Sequence, residues 1–175
     1  LGTHNVTFRR DGDRLGVDIA VDYTVKLTFI TAYRYRLRAT EQWEQGVLTS
    51  MRARTDNNGK AEFMRADRID GALIVEGSGT TRYHAPPGAM LCSHWNPAQL
   101  DGPMINPQDG TLLNFTISAK GPARVADTAG RTREAQRFSL EGAHSLDLWY
   151  DTQGIWTALQ GAAEDGSVII YQPVF

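Results

Sequence analysis

The chain holds one cysteine, Cys92, in 175 residues. That excludes an intrachain disulfide framework and any multi-cysteine zinc site. No run approaches the roughly 18 apolar residues of a helical membrane span. No segment keeps a helical period over ten residues, which excludes a helix bundle. Excess charge of either sign is also missing. The net charge is −2 and the sequence pI about 6.1, which sets aside charge-driven binding to nucleic acid or an anionic membrane surface. Lysine is scarce, with three lysines against fifteen arginines. The four histidines, His4, His84, His94 and His144, lack the i, i+2 or i, i+4 spacing of metal ligands, so neither a metal nor a cofactor is expected. Proline is nearly absent outside one stretch, with six of the seven between Pro86 and Pro122.

What is present reads as one β domain spanning residues 1–175. Hydrophobic residues make up 41% and charged residues 22%, as in globular proteins. From Leu15 to Ala39 the odd positions are apolar or aromatic, interrupted only at Thr31, and the even positions are mostly polar or small. Such alternation marks strands with one face on a core and one in water. Twenty-five residues in one strand would span roughly 80 Å, so a reversal or sharp bend is expected near Ile30-Thr31-Ala32, pairing Phe29 with Tyr33. Asp11-Gly12, Asn58-Gly59, Asp70-Gly71, Gln153-Gly154 and Asp165-Gly166 read as turns between further strands. The expected fold is a single antiparallel barrel or half-barrel of about ten strands. Residues 85–110 form its one long irregular loop, a lid or plug. Within that loop Asn96 is placed to cap a short turn beginning at Pro97.

Three groupings are candidates for chemistry. Arg34, Arg36 and Arg38 share one strand face, and Arg52 and Arg54 alternate on the next strand. With Glu44-Gln45-Gly46 as the loop, Arg38 faces Arg52 and Arg36 faces Arg54. Like charges directly opposite are destabilising, so the arginines are splayed into water, paired with Glu41 or Glu62, or used to hold an anion. The second grouping is Cys92-Ser93-His94-Trp95-Asn96, which puts a thiol, a hydroxyl, an imidazole, an indole and an amide in five residues. It reads either as a packed loop anchored by Trp95, or as a Cys92–His94 nucleophile pair, since residues two apart on an extended chain point the same way. The third is the aromatic set, including Tyr33, Tyr35 and Trp43, which packs a core or lines a ligand cavity.

Two pieces carry a resemblance. One is Tyr33-Arg34-Tyr35 with Glu41-x-Trp43-x-x-Gly46-x-Leu48. The other is Leu148-Trp149-Tyr150-Asp151, Gly154-x-Trp156 and Asp165-Gly166-Ser167-x-Ile169-x-Tyr171. With Ser93-x-Trp95-Asn96, these resemble a family of uncharacterised secreted bacterial β-proteins that carry a domain of unknown function. This chain has His94 where that family usually shows tyrosine. The resemblance implies a β-rich fold and export, and supplies no activity. By overall shape such proteins also resemble periplasmic half-barrels that carry lipid or lipoprotein. The chain begins with Leu1, and a periplasmic or secreted location with the signal peptide removed is expected.

The leading expectation is an exported protein that binds a small amphipathic or anionic molecule in an aromatic-lined β cavity. Its contacts are drawn from Arg34, Arg36, Arg38, Arg52, Arg54, Tyr33, Tyr35, Trp43, Ser93, Trp95 and Asn96. Nucleic acid and a transmembrane segment are not expected, and the oligomeric state is open. The alternative is a cofactor-free lyase, isomerase or hydrolase using His94 or His84 as general base and Glu41 or an arginine to orient the substrate.

Overall fold

In a computed structural model the chain is all-β apart from one short 3-10 helix among the described residues, which are 2–27, 30–142, 145–162 and 168–173. It divides into two compact units. The first comprises Leu1–Ser93 and Ile105–Leu112; the second comprises His94–Met104 and Leu113–Phe175. The stretch expected to act as a single lid is therefore shared out, with residues 94–104 belonging to the second unit.

The first unit is a seven-stranded antiparallel meander in sequential order. Its strands are β1 (Gly2–Asp11), β2 (Arg14–Leu27), β3 (Ile30–Glu44), β4 (Val47–Asn57), β5 (Lys60–Ile69), β6 (Ala72–Gly77) and β7 (Thr80–His84). Tight turns set its registers. Gln45 and Gly46 have φ 51° and 77°, Asn58 and Gly59 53° and 92°, Asp70 and Gly71 49° and 82°. Two consecutive left-handed residues are what a two-residue hairpin needs to match the strands' twist. Alternation then buries one face, where Val17, Met51, Met64, Ala66 and Val75 are at most 1% exposed. Strands β1 and β7 are edges, so this sheet is open and not a closed barrel.

The second unit contains a five-stranded antiparallel meander. Its strands are β11 (Thr116–Ala126), β12 (Thr132–Glu141), β13 (Leu146–Asp151), β14 (Trp156–Ala162) and β15 (Val168–Tyr171). Three two-residue strands, β8 (Met90–Leu91), β9 (Met104–Ile105) and β10 (Leu112–Leu113), make a small ribbon. The 3-10 helix is Pro97–Asp101, and the Asn96 side chain accepts from the Ala98 amide at 3.1 Å, as the capping residue expected from sequence.

Two expected connections fall elsewhere. Tyr33 pairs with Val25, in register with Thr24 opposite Arg34, and the ladder shifts only beyond it, continuing to Leu27 opposite Ile30. Ile30-Thr31-Ala32, where the reversal was expected, lie within β3, and Phe29 lies, with residue 28, outside the described residues. The β3–β4 register also differs. Glu44 pairs with Val47 around a two-residue turn, and a bulge at Thr49 then advances the pairing by one. Arg38 consequently faces Arg54, Arg36 faces Asp56, and Thr40 faces Arg52. The Thr49 hydroxyl donates to the Gln42 carbonyl at 3.0 Å and holds the bulge.

Candidate functional site

The polar face of the seven-stranded sheet is built in rows across the strands. One row runs Asn5, Ala20, Arg38, Arg54, Phe63. The next runs Thr7, Asp18, Thr40, Arg52, Arg65, Glu76. A long guanidinium beside a lone methyl group at Ala20 leaves space, and a hollow of about 640 Å³ opens there. Arg38, Arg52, Arg54 and Arg65 all line it, with Phe63 and, as the single carboxylate among the described residues, Asp18.

Facing arginines repel, and acids on the same face answer three of the four. Asp22 takes Arg38 at 2.6 Å and Arg36 at 3.5 Å, Asp67 takes Arg52 at 2.6 Å, and Glu76 takes Arg65 at 2.7 Å. The Glu76 hydrogen bond and charge push the Arg65 pKa up. A second nitrogen of Arg38 donates to the Val21 and Leu37 carbonyls, and one of Arg52 to those of Met51 and Ala66. Arg54 has no carboxylate partner among the described residues. It stands directly opposite Phe63, whose side is 41% exposed. A cation without a fixed acid, next to an exposed ring, can bind the anionic end and the apolar body of one molecule.

The acids expected to neutralise the arginines lie elsewhere. Glu41 is on the opposite, buried face, where it accepts from Trp43 Nε1 at 2.8 Å. Glu62 shares that face and takes Lys60 Nζ at 2.5 Å and Gln108 Nε2 at 2.6 Å. The hydrogen bond to Glu62 and its charge raise the Lys60 pKa. Strand parity is the reason: Glu41 is one residue from Thr40, and Glu62 pairs with Thr55 rather than Arg54.

The aromatic candidates part from the arginines in the same way. Tyr35 stacks on Tyr23 with ring centroids 4.9 Å apart, and Tyr33 donates to Asn57 Oδ1 at 2.5 Å. Both are odd-numbered like the buried Trp43 and lie on the sheet's other face. Arg34 is exposed at the strand end opposite Thr24, outside the hollow. Of the proposed acid–base set, His84 is exposed on β7, opposite Ile74 and hence on the arginine face, while Glu41 is buried on the reverse. The sheet separates them, so they form no acid–base pair.

His94 belongs to the second unit and is held by its backbone. Its amide donates to Gln99 Oε1 at 3.3 Å, and its carbonyl accepts from Tyr150 Oη at 2.8 Å. Gln99 Nε2 in turn donates to Tyr150 Oη at 2.7 Å. The His94 ring sits 5.5 Å from that of Trp156, and its φ is 68°. This clasp fastens the 3-10 helix to strand β13. Trp95 and Asn96 are half-buried beside it, and Ser93 is buried in the first unit. Burial pushes the Cys92 thiol up to about 12, which leaves it protonated and unreactive at neutral pH.

Phe63 was not among the residues that sequence patterning singles out. Its signal was an inversion within β5, a buried Glu62 beside an exposed aromatic. Such reversals of the burial rule flag functional positions.

A family profile described as a domain of unknown function, DUF6134, matches residues 1–174. The chain belongs to that family. Comparison with curated proteins and with solved structures finds no match. Membership accords with the resemblance drawn from the Glu41–Leu48 and Leu148–Tyr171 motifs and brings no activity with it. Within this member of the family, the geometry itself is the ground for a functional reading.

Proposed function

We propose that the protein binds a small anionic, amphipathic molecule on the open arginine face of the first unit. The observation that carries this is Arg54, an arginine with no carboxylate partner among the described residues, set beside Phe63 in a hollow of about 640 Å³. In this reading the seven-stranded sheet acts as half a barrel whose ligand lies on the polar side and not in an aromatic-lined interior. The acid-paired arginines Arg38, Arg52 and Arg65 frame the hollow, and Arg54 supplies the contact. Export to the periplasm or beyond is part of the proposal and rests on the resemblance to secreted bacterial β-proteins.

The test uses 1-anilinonaphthalene-8-sulfonate, a fluorescent amphipathic anion. Wild type is expected to bind it saturably. Arg54→Ala should weaken binding about tenfold, which corresponds to about 1.4 kcal/mol, with the circular dichroism unchanged. Equal affinity in wild type and Arg54→Ala sinks the reading. Periplasmic fractionation of the expressing cells tests the location.

A further inference from the structure

Resting on that anion-binding reading, we infer that the ligand is an acidic oligosaccharide laid across β4 to β7. The hollow around Arg54 is continued by a second of about 190 Å³, and the two meet at Arg65. The second is lined by Arg65, Asp67, Ile69, Ile74, Glu76 and Arg82. Each hollow contains one arginine without a carboxylate partner among the described residues: Arg54 in the first and Arg82 in the second. They stand on β4 and β7, three strand spacings apart, roughly 14 Å at about 4.8 Å per strand. One small anion does not reach both. A chain bearing an anionic group at intervals does.

The groups around those two cations narrow the chemistry. Asp67 and Glu76 lie between them and oppose negative charge at that point. Contiguous anions such as polyphosphate meet these acids; carboxylates separated by neutral, hydroxyl-bearing rings straddle them. The Arg54 hollow also carries Thr40 on the adjoining strand β3, opposite Arg52, a neutral donor and acceptor suited to a sugar hydroxyl. The exposed ring of Phe63 offers the C–H face of a sugar an apolar seat. A single-stranded nucleic acid calls for a series of stacking aromatics, and Phe63 is the one aromatic among the described residues that line the two hollows.

The experiment titrates wild type, Arg54→Ala and Arg82→Ala with tetragalacturonate, galacturonate and the neutral maltotetraose by calorimetry. The naphthalene sulfonate titration runs alongside. Both arginines are exposed, so the substitutions leave the fold intact, which circular dichroism checks. Tetragalacturonate is expected to bind at least tenfold tighter than galacturonate, and maltotetraose not at all. Arg82→Ala should cost tetragalacturonate about tenfold and leave galacturonate and the sulfonate unchanged. If tetragalacturonate binds no tighter than galacturonate, fails to bind at millimolar concentration, or ignores Arg82→Ala, the oligosaccharide is overturned. The anion reading then survives if Arg54→Ala still weakens sulfonate binding about tenfold. If Arg54→Ala changes neither probe, both fall.

Discussion

His4 shows how one side chain sets a pH response. It lies on β1 opposite Val21, and burial lowers its pKa to about 4 from the ordinary 6.5. The folded protein therefore keeps His4 neutral across a range in which the unfolded chain protonates it. Between about pH 6.5 and pH 4 the unfolded state holds the extra proton, so stability falls as the pH falls through that window. The full shift corresponds to roughly 3 kcal/mol. His4→Gln should flatten the decline, read as urea midpoints at pH 7 and pH 5; parallel declines in both proteins would refute the assignment. Asp127 acts lower on the scale. Burial pushes its carboxyl up, but the Arg131 side chain and the amides of Arg131 and Ala129 more than offset this and hold it below the usual range. Its contribution is present above the ordinary carboxyl pKa and is lost in acid.

At the scale of elements, the 3-10 helix Pro97–Asp101 depends on one hydroxyl. Tyr150 Oη accepts from Gln99, which is fully buried, and donates to the His94 carbonyl. Tyr150→Phe leaves Gln99 Nε2 without this acceptor and the His94 carbonyl without this donor, at about 1–3 kcal/mol for a buried polar group so exposed. The expected outcome is earlier proteolysis between residues 94 and 101 and a lower melting temperature, with the strands retained. Cleavage at wild-type rate would show that the clasp holds nothing. The capped turn was legible in Asn96-Pro97, because capping is a local property. The clasp was not, because Tyr150 is 51 residues from Gln99. Strand β11 was hidden for another reason. Gly and Pro side by side are residues of turns, yet Gly121 takes φ 90° at a bulge within the strand. Pro122 is tolerated because β11 is an edge strand. In the first unit the two-face alternation was plain in the sequence. The register was not, because it depends on one bulged residue, Thr49, and that residue decides which arginines meet.

Across the whole molecule the net charge is only −2, while the Arg54 hollow sets four arginines against one aspartate. Average charge hid the site; placement makes it. The same face carries its own competitors, since Asp67 and Glu76 occupy Arg52 and Arg65. Both pairs are more than a third exposed on at least one side, and such pairs contribute about 0–1 kcal/mol each. They orient the arginines more than they stabilise the fold. Removing one of those acids while keeping its shape should therefore act mainly on binding. Asp67→Asn releases Arg52 toward the hollow and removes a negative charge beside the ligand. Affinity for the naphthalene sulfonate should rise severalfold, while the urea midpoint changes little. The gain should shrink as salt is raised, because exposed charges are screened over about 10 Å at 0.1 M ionic strength. A solvated arginine ladder with no ligand gives a different result. There Asp67→Asn costs Arg52 its carboxylate while Arg65 keeps Glu76, the midpoint again changes little, and sulfonate affinity stays where it was. Measuring affinity and midpoint on the same two proteins, at low and high salt, separates a binding face from a merely solvated one.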